Sequence, residues 1–210
     1  MEAGFSRYAG VPEGRGVEDG MKLFAVIAGL ALLAAAAPVW LDAQVPSNWN
    51  VAASALPAAP GPRDAELAPG GRCSAALRPP STPEDRAAVR KGWFLIGPYE
   101  RYGATSVVLG TASADGMCRP NAFQGFVFVD GSFVGTIAPH PMNARTDASL
   151  SGLGLTLVNA QDITASFARY DATDPLCCPH ATTTVEYKID GTGSHAVLAP
   201  VSATTSKNSP

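Results

Sequence analysis

The stretch GFVFVDGSFVGTIAPHPMNARTD, residues 125–147, constrains this chain more than any other. Asp130-Gly131 is a two-residue turn that accepts positive φ, and apolar runs flank it on both sides. With those two residues as the loop, Val129 faces Ser132, Phe128 faces Phe133, Val127 faces Val134 and Phe126 faces Gly135. A Phe128/Phe133 cross-strand pair contributes about 0.2–1 kcal/mol over an alanine pair. Phe126 and Phe128 point to one face, Val127 and Val129 to the other. Both faces are apolar, so the spacing predicts a strand covered on both sides. Pro139 cannot donate to a ladder, so the second strand is expected to end at Ala138-Pro139. Pro141 then stiffens a loop that carries His140, Asn143, Arg145 and Asp147.

The helix signal is local and specific. In Ser81-Thr82-Pro83-Glu84-Asp85, Thr82 can cap, Pro83 suits the first helical position, and the two acids suit the positive end of the dipole. A short helix over residues 83–91 is expected, closed by Gly92. Trp93–Ile96 reads as a strand broken by Gly97-Pro98, and Ser106–Thr111 as another. Alternation marks three more: Leu153, Leu155 and Leu157; Ile163, Ala165 and Phe167; and Val185, Tyr187 and Ile189. About seven short strands, many Gly/Pro turns and one helix predict a mainly β (α+β) fold. The expected architecture is an antiparallel meander or partly wrapped sheet with the short helix packed on it.

Residues 1–20 carry no apolar period and read as an unstructured leader or a start codon placed too early. From Met21 the text changes to Lys22 and then LFAVIAGLALLAAAA, residues 23–37. That apolar run is short for a membrane span, which needs about 20 residues, and residues 21–43 read as a secretory signal peptide. Cleavage is expected after Ala43 or nearby, because Pro38 opposes a cut directly after Ala37. A retained membrane anchor is the alternative. Residues 44–72, rich in alanine, proline and glycine, read as a disordered linker in which Trp49 is solvent-exposed. Residues 199–210 read as a disordered tail. One folded domain is left, residues 73–198, long enough for a single core.

The formal charge is −3 and 16% of residues are charged, without a basic block, which sets nucleic acid aside as a partner. The four cysteines, Cys73, Cys118, Cys177 and Cys178, make an even set in an exported domain and read as disulfides. A direct Cys177–Cys178 bond would close an eight-membered ring. Each of the two is therefore expected to pair with a distant partner, Cys118 and Cys73 taking one each. A redox switch at a vicinal disulfide is a further reading.

The same segment, DPLCCPH, offers Cys177, Cys178 and His180 as ligands for copper or zinc, in a spacing that matches no standard zinc pattern. Ser149, His140 and Asp147 could be assembled as a hydrolytic triad on the 139–147 loop, without the G-x-S-x-G elbow that would position a nucleophile. Arg145 and Asp147, with Arg169 and Tyr170 further on, read either as ion pairs that fix loops or as a carboxylate- or sugar-binding patch.

Taken together, GFVFVDGSFVGTIAPHPMNARTD, ITASFARYDATDPLCCPH and TTTVEYKID resemble the LppP/LprE family of bacterial cell-envelope lipoproteins. The resemblance covers residues 93–190, and its specific parts are DPLCCP and FVDG-x-F-x-GT. It implies location more than activity. No cysteine follows the 23–37 run closely, so a periplasmic or secreted form is expected, with an inner-membrane anchored form as the alternative. The function expected is a non-enzymatic binding or structural module, without a cofactor and with an envelope component of unknown identity as its partner. Membrane contact would come only through the N-terminal segment, if it is uncleaved.

Overall fold

The computed structural model describes residues 40–52 and 55–209; the expected leader and the apolar run lie outside them. The helix forms as its caps dictate. α1, Pro83–Arg90, starts at Thr82, whose side chain accepts from the Asp85 backbone N–H while the Asp85 carboxylate accepts from the Thr82 N–H, a closed capping box.

Eight strands follow. β1 (Phe94–Tyr102), β2 (Thr105–Ala114), β3 (Pro120–Val129) and β4 (Ser132–Thr136) form one antiparallel sheet in chain order. β5 (Ser149–Leu157), β6 (Asp162–Arg169), β7 (Ala181–Asp190) and β8 (Val197–Lys207) form a second. The fold class is mainly β: two four-stranded meanders rather than one sheet, neither closing into a barrel. The apolar pattern of β3 explains the layering. Val127, with Val107 and Val134, packs against Leu155, Phe167, Val185 and Tyr187 of the second sheet. Phe126 and Phe128, pointing the other way, pack with Trp93, Val108 and Ala88 of α1. The first sheet is thus buried on both faces, with helix, sheet and sheet as three layers.

The central hairpin turns at Asp130 and Gly131, both at positive φ (49° and 75°). Val129 faces Ser132 and Phe128 faces Phe133, their ring centroids 5.9 Å apart and edge-on. Beyond that pair the expected register fails. A bulge at Val134 sets Val127 opposite Gly135 and Phe126 opposite Thr136, where β4 ends. The bulge brings Gly135 against the carboxamide of Asn50, which fills the space a side chain there would need. Gly97-Pro98 likewise does not end β1 but makes a bulge within it, between Ile96 and Glu100.

Two expected boundaries are corrected. Residues 44–72 are not a loose linker where the structure describes them. Leu56 and Leu67 are buried, Trp49 donates its indole N–H to the Thr136 carbonyl (3.1 Å), and Trp93 donates to the Pro57 carbonyl (2.8 Å). These few apolar side chains are held by the sheets, and composition alone does not show that. Residues 199–207 are not a frayed tail. They are most of β8, which pairs with β7 from Ala181↔Lys207 to Asp190↔Val197. The partner supplies the ladder that a Ser/Thr/Ala sequence does not advertise.

Candidate functional site

The edge strands β1 and β5 lie against one another, and both are irregular. β1 bulges between Ile96 and Glu100, and the β5 register slips between Leu150 and Leu155, where Gly152 sits at φ +56°. Where the two ladders open, a cleft of about 440 Å³ lies between the sheets. Ile96, Leu109, Phe123, Leu150 and Ala168 make its walls apolar, while Arg145, Tyr170, Cys177 and Pro179 come from the loops at its rim. Its volume falls in the range of small-molecule clefts, and bulged strands lie beside it.

The loop after β4 reaches this cleft because the sheet holds it. Met142 and Phe123 exchange both backbone hydrogen bonds (2.7 and 2.8 Å), an added bridge beside β3. Asn143 accepts the Ala122 N–H at 2.8 Å, which fixes the loop to the start of β3. Arg145 follows at φ +61°, exposed, lining the cleft, and it forms no ion pair or hydrogen bond with the described residues. His140 is exposed and is not among the cleft's lining residues.

Asp147, Arg169 and Tyr170 do come together, but mostly for the fold's sake. Asp147 accepts from Arg169 Nε and from the Tyr170 N–H, each at 3.0 Å. Arg169 also donates to Asp42 at 2.7 Å and to Thr183 at 3.3 Å. Burial works against its charge, but the bonds to Asp42 and Asp147 outweigh it and hold its pKa above the usual arginine value. The carboxylate a triad would need is therefore turned to a guanidinium. Among the described residues no hydrogen bond links His140 to Asp147 or Ser149. Ser149 is buried at the cleft's inner end.

The cysteine pairing differs from expectation. Cys73 bonds Cys118, their Cα atoms 5.1 Å apart, and Cys177 bonds Cys178. The fold decides this. Cys73 is buried with Leu67 and Phe94, with Cys118 packed beside them at the end of the first sheet, while Cys177 and Cys178 sit exposed in the turn joining β6 to β7. No cysteine is free, so in this state Cys177 and Cys178 offer no thiolate beside His180.

That turn has its own organisation. Asp174 accepts from His180 Nδ1 (2.7 Å), the His180 N–H and the Asp171 N–H (both 3.0 Å), and Tyr170 O–H donates to the Leu176 carbonyl at 3.0 Å. The Asp171 N–H foremost, then His180, lowers the pKa of Asp174. Ligand atoms of Asp171, Asp174 and His180 lie within 4.8 Å of one another, an exposed set able to meet a cation, though loop hydrogen bonds already occupy Asp174. Of the residues the sequence singled out, Arg145, Ser149, Tyr170 and Cys177 line the cleft. It misses Ile96, Leu109, Phe123 and Leu150, whose only signal is the glycines Gly97 and Gly152 interrupting apolar strands.

These elements, from the second half of β1 through β7, coincide with a known segment. Residues 99–192 match the LppP/LprE lipoprotein family. No curated protein and no solved structure matches the chain. The LppP/LprE match takes in the hairpin, the Arg145 loop and the Cys177-Cys178 turn, and leaves outside it residues 40–72, α1 and β8. A lipoprotein family points to the cell envelope as the location.

Proposed function

We propose that this chain is an exported, non-enzymatic binding module of the cell envelope, periplasmic or secreted, whose ligand occupies the cleft between β1 and β5. The observation that carries the reading is Arg145, unpaired among the described residues, at the mouth of an apolar cleft of about 440 Å³. Such a cleft suits a small amphiphile, its apolar part against Leu109, Phe123 and Leu150 and its anionic group on the Arg145 fork. The LppP/LprE match supports an envelope location, and the 21–37 stretch supports export.

Calorimetric titration with decanoate and with decanol tests it. The expected result is saturable decanoate binding that weakens about tenfold in Arg145→Gln, equivalent to about 1.4 kcal/mol, with decanol unaffected by the substitution. Decanoate binding that is absent, or equal in the two proteins, sinks the reading.

A further inference from the structure

Residues 40–44, the first that the structure describes, pack against the second sheet. Leu41 is only 2% exposed and belongs to the core between the sheets. The Trp40 ring stands edge-on to both Trp49 and Phe167, each centroid 4.9 Å away. Asp42 accepts from Arg169, and the Gln44 carbonyl accepts the Ala203 N–H of β8 at 2.7 Å. Four of the five residues from Trp40 to Gln44 thus tie this segment to the second sheet, in core, aromatic, ionic and backbone terms.

We infer that signal peptidase cuts the Ala36–Ala37 bond, and that the mature chain begins Ala37-Pro38-Val39-Trp40. Such enzymes require small residues one and three positions before the cut. Ala36 and Ala34 fill those positions. A cut after Ala43 would put Leu41, large and branched, three positions back, and would discard Trp40, Leu41 and Asp42 from the fold. A cut after Ala37 would place Pro38 directly beyond the bond, where its ring and missing N–H oppose an extended fit. The step is a hydrolysis: water adds across the Ala36–Ala37 amide, leaving a carboxylate on Ala36 and an ammonium on Ala37. The inference rests on the export half of the proposal above and is independent of the cleft.

The full chain, produced in a bacterial host and recovered from envelope and medium, is read by intact mass and N-terminal sequencing. The expected first residue is Ala37. Any other first residue overturns the assigned bond, and one beyond Trp40 overturns the retained stitch as well. An uncleaved chain in the membrane overturns the cut while leaving export standing. An uncleaved chain in the cytosol overturns both. As a second readout, Leu41→Ala in the same exported protein is expected to lower Tm by roughly 5–15 °C, from the usual cost of a buried leucine truncation. An unchanged Tm shows that Leu41 is absent from the mature fold.

Discussion

The carboxamide of Asn50 lies against Gly135 so closely that a Cβ at Gly135 would stand 2.6 Å from Asn50 Cγ. From there Asn50 donates to the Thr136 and Leu198 carbonyls (3.0 and 3.1 Å) and accepts the Thr136 N–H at 2.9 Å. One buried side chain from outside both meanders therefore ties β4 to β8. Asn50→Ala strands a buried N–H and loosens two carbonyls, and is expected to cost about 3 kcal/mol in urea unfolding. Gly135→Ala forces the same contact apart and should destabilise by a similar amount, about 2–4 kcal/mol. A loss under about 1 kcal/mol for both would contradict the tie.

Asp85 supplies an acid limb. Its side chain is fully buried and bound by both arms of Arg78 at 2.7 and 2.6 Å. Burial pushes its pKa up, but the Arg78 hydrogen bonds, the Ser81 and Thr82 N–H groups and the guanidinium charge prevail and hold it at about 2. The folded value lies below the ordinary carboxylate value, so this contribution is full above about pH 4 and is lost as pH falls through about 2. It amounts to about 2 kcal/mol. Stability measured from pH 5 to pH 2 should fall less steeply in Asp85→Asn, which starts lower, and equal slopes would count against the pair.

The two disulfides should differ sharply in worth. Cys73–Cys118 spans a sequence separation of 45, and closing so long a loop restricts the unfolded chain by about 4 kcal/mol. Cys177–Cys178 spans 1 and closes no comparable loop. Cys73→Ser with Cys118→Ser should lower stability several-fold more than Cys177→Ser with Cys178→Ser, which is expected to cost under about 1 kcal/mol. Equal losses would mean that another pairing operates.

Arg169 and Arg145 separate fold from site. Arg169 is mostly buried against Asp147, Asp42 and Thr183, so Arg169→Gln should cost about 2 kcal/mol of stability and leave decanoate affinity within about twofold. Arg145→Gln should do the reverse, with Tm unchanged and affinity reduced, because it is exposed and unpaired among the described residues. Calorimetry and melting on the same two proteins decide this.

What was legible in the sequence was local. Asp130-Gly131 demands a tight hairpin because its backbone needs positive φ. Thr82-Pro83 demands a helix start because the first amides lack partners. The period of two in β6 and β7 demands half-buried strands. All three are settled within a few residues of chain. The cysteine count likewise announced cross-links. What only the tertiary structure decided depends on partners distant in sequence: β8 is a strand because β7 offers its ladder, Trp40 and Trp49 are packed because Phe167 and Thr136 await them, and Cys118 takes Cys73 because the end of the first sheet brings them to 5.1 Å. The cleft belongs to that second class, since two bulges some fifty residues apart open it only once β1 and β5 meet. Polar, small or alanine-rich segments have no periodicity of their own to read, and their order is lent to them by the surface they cover.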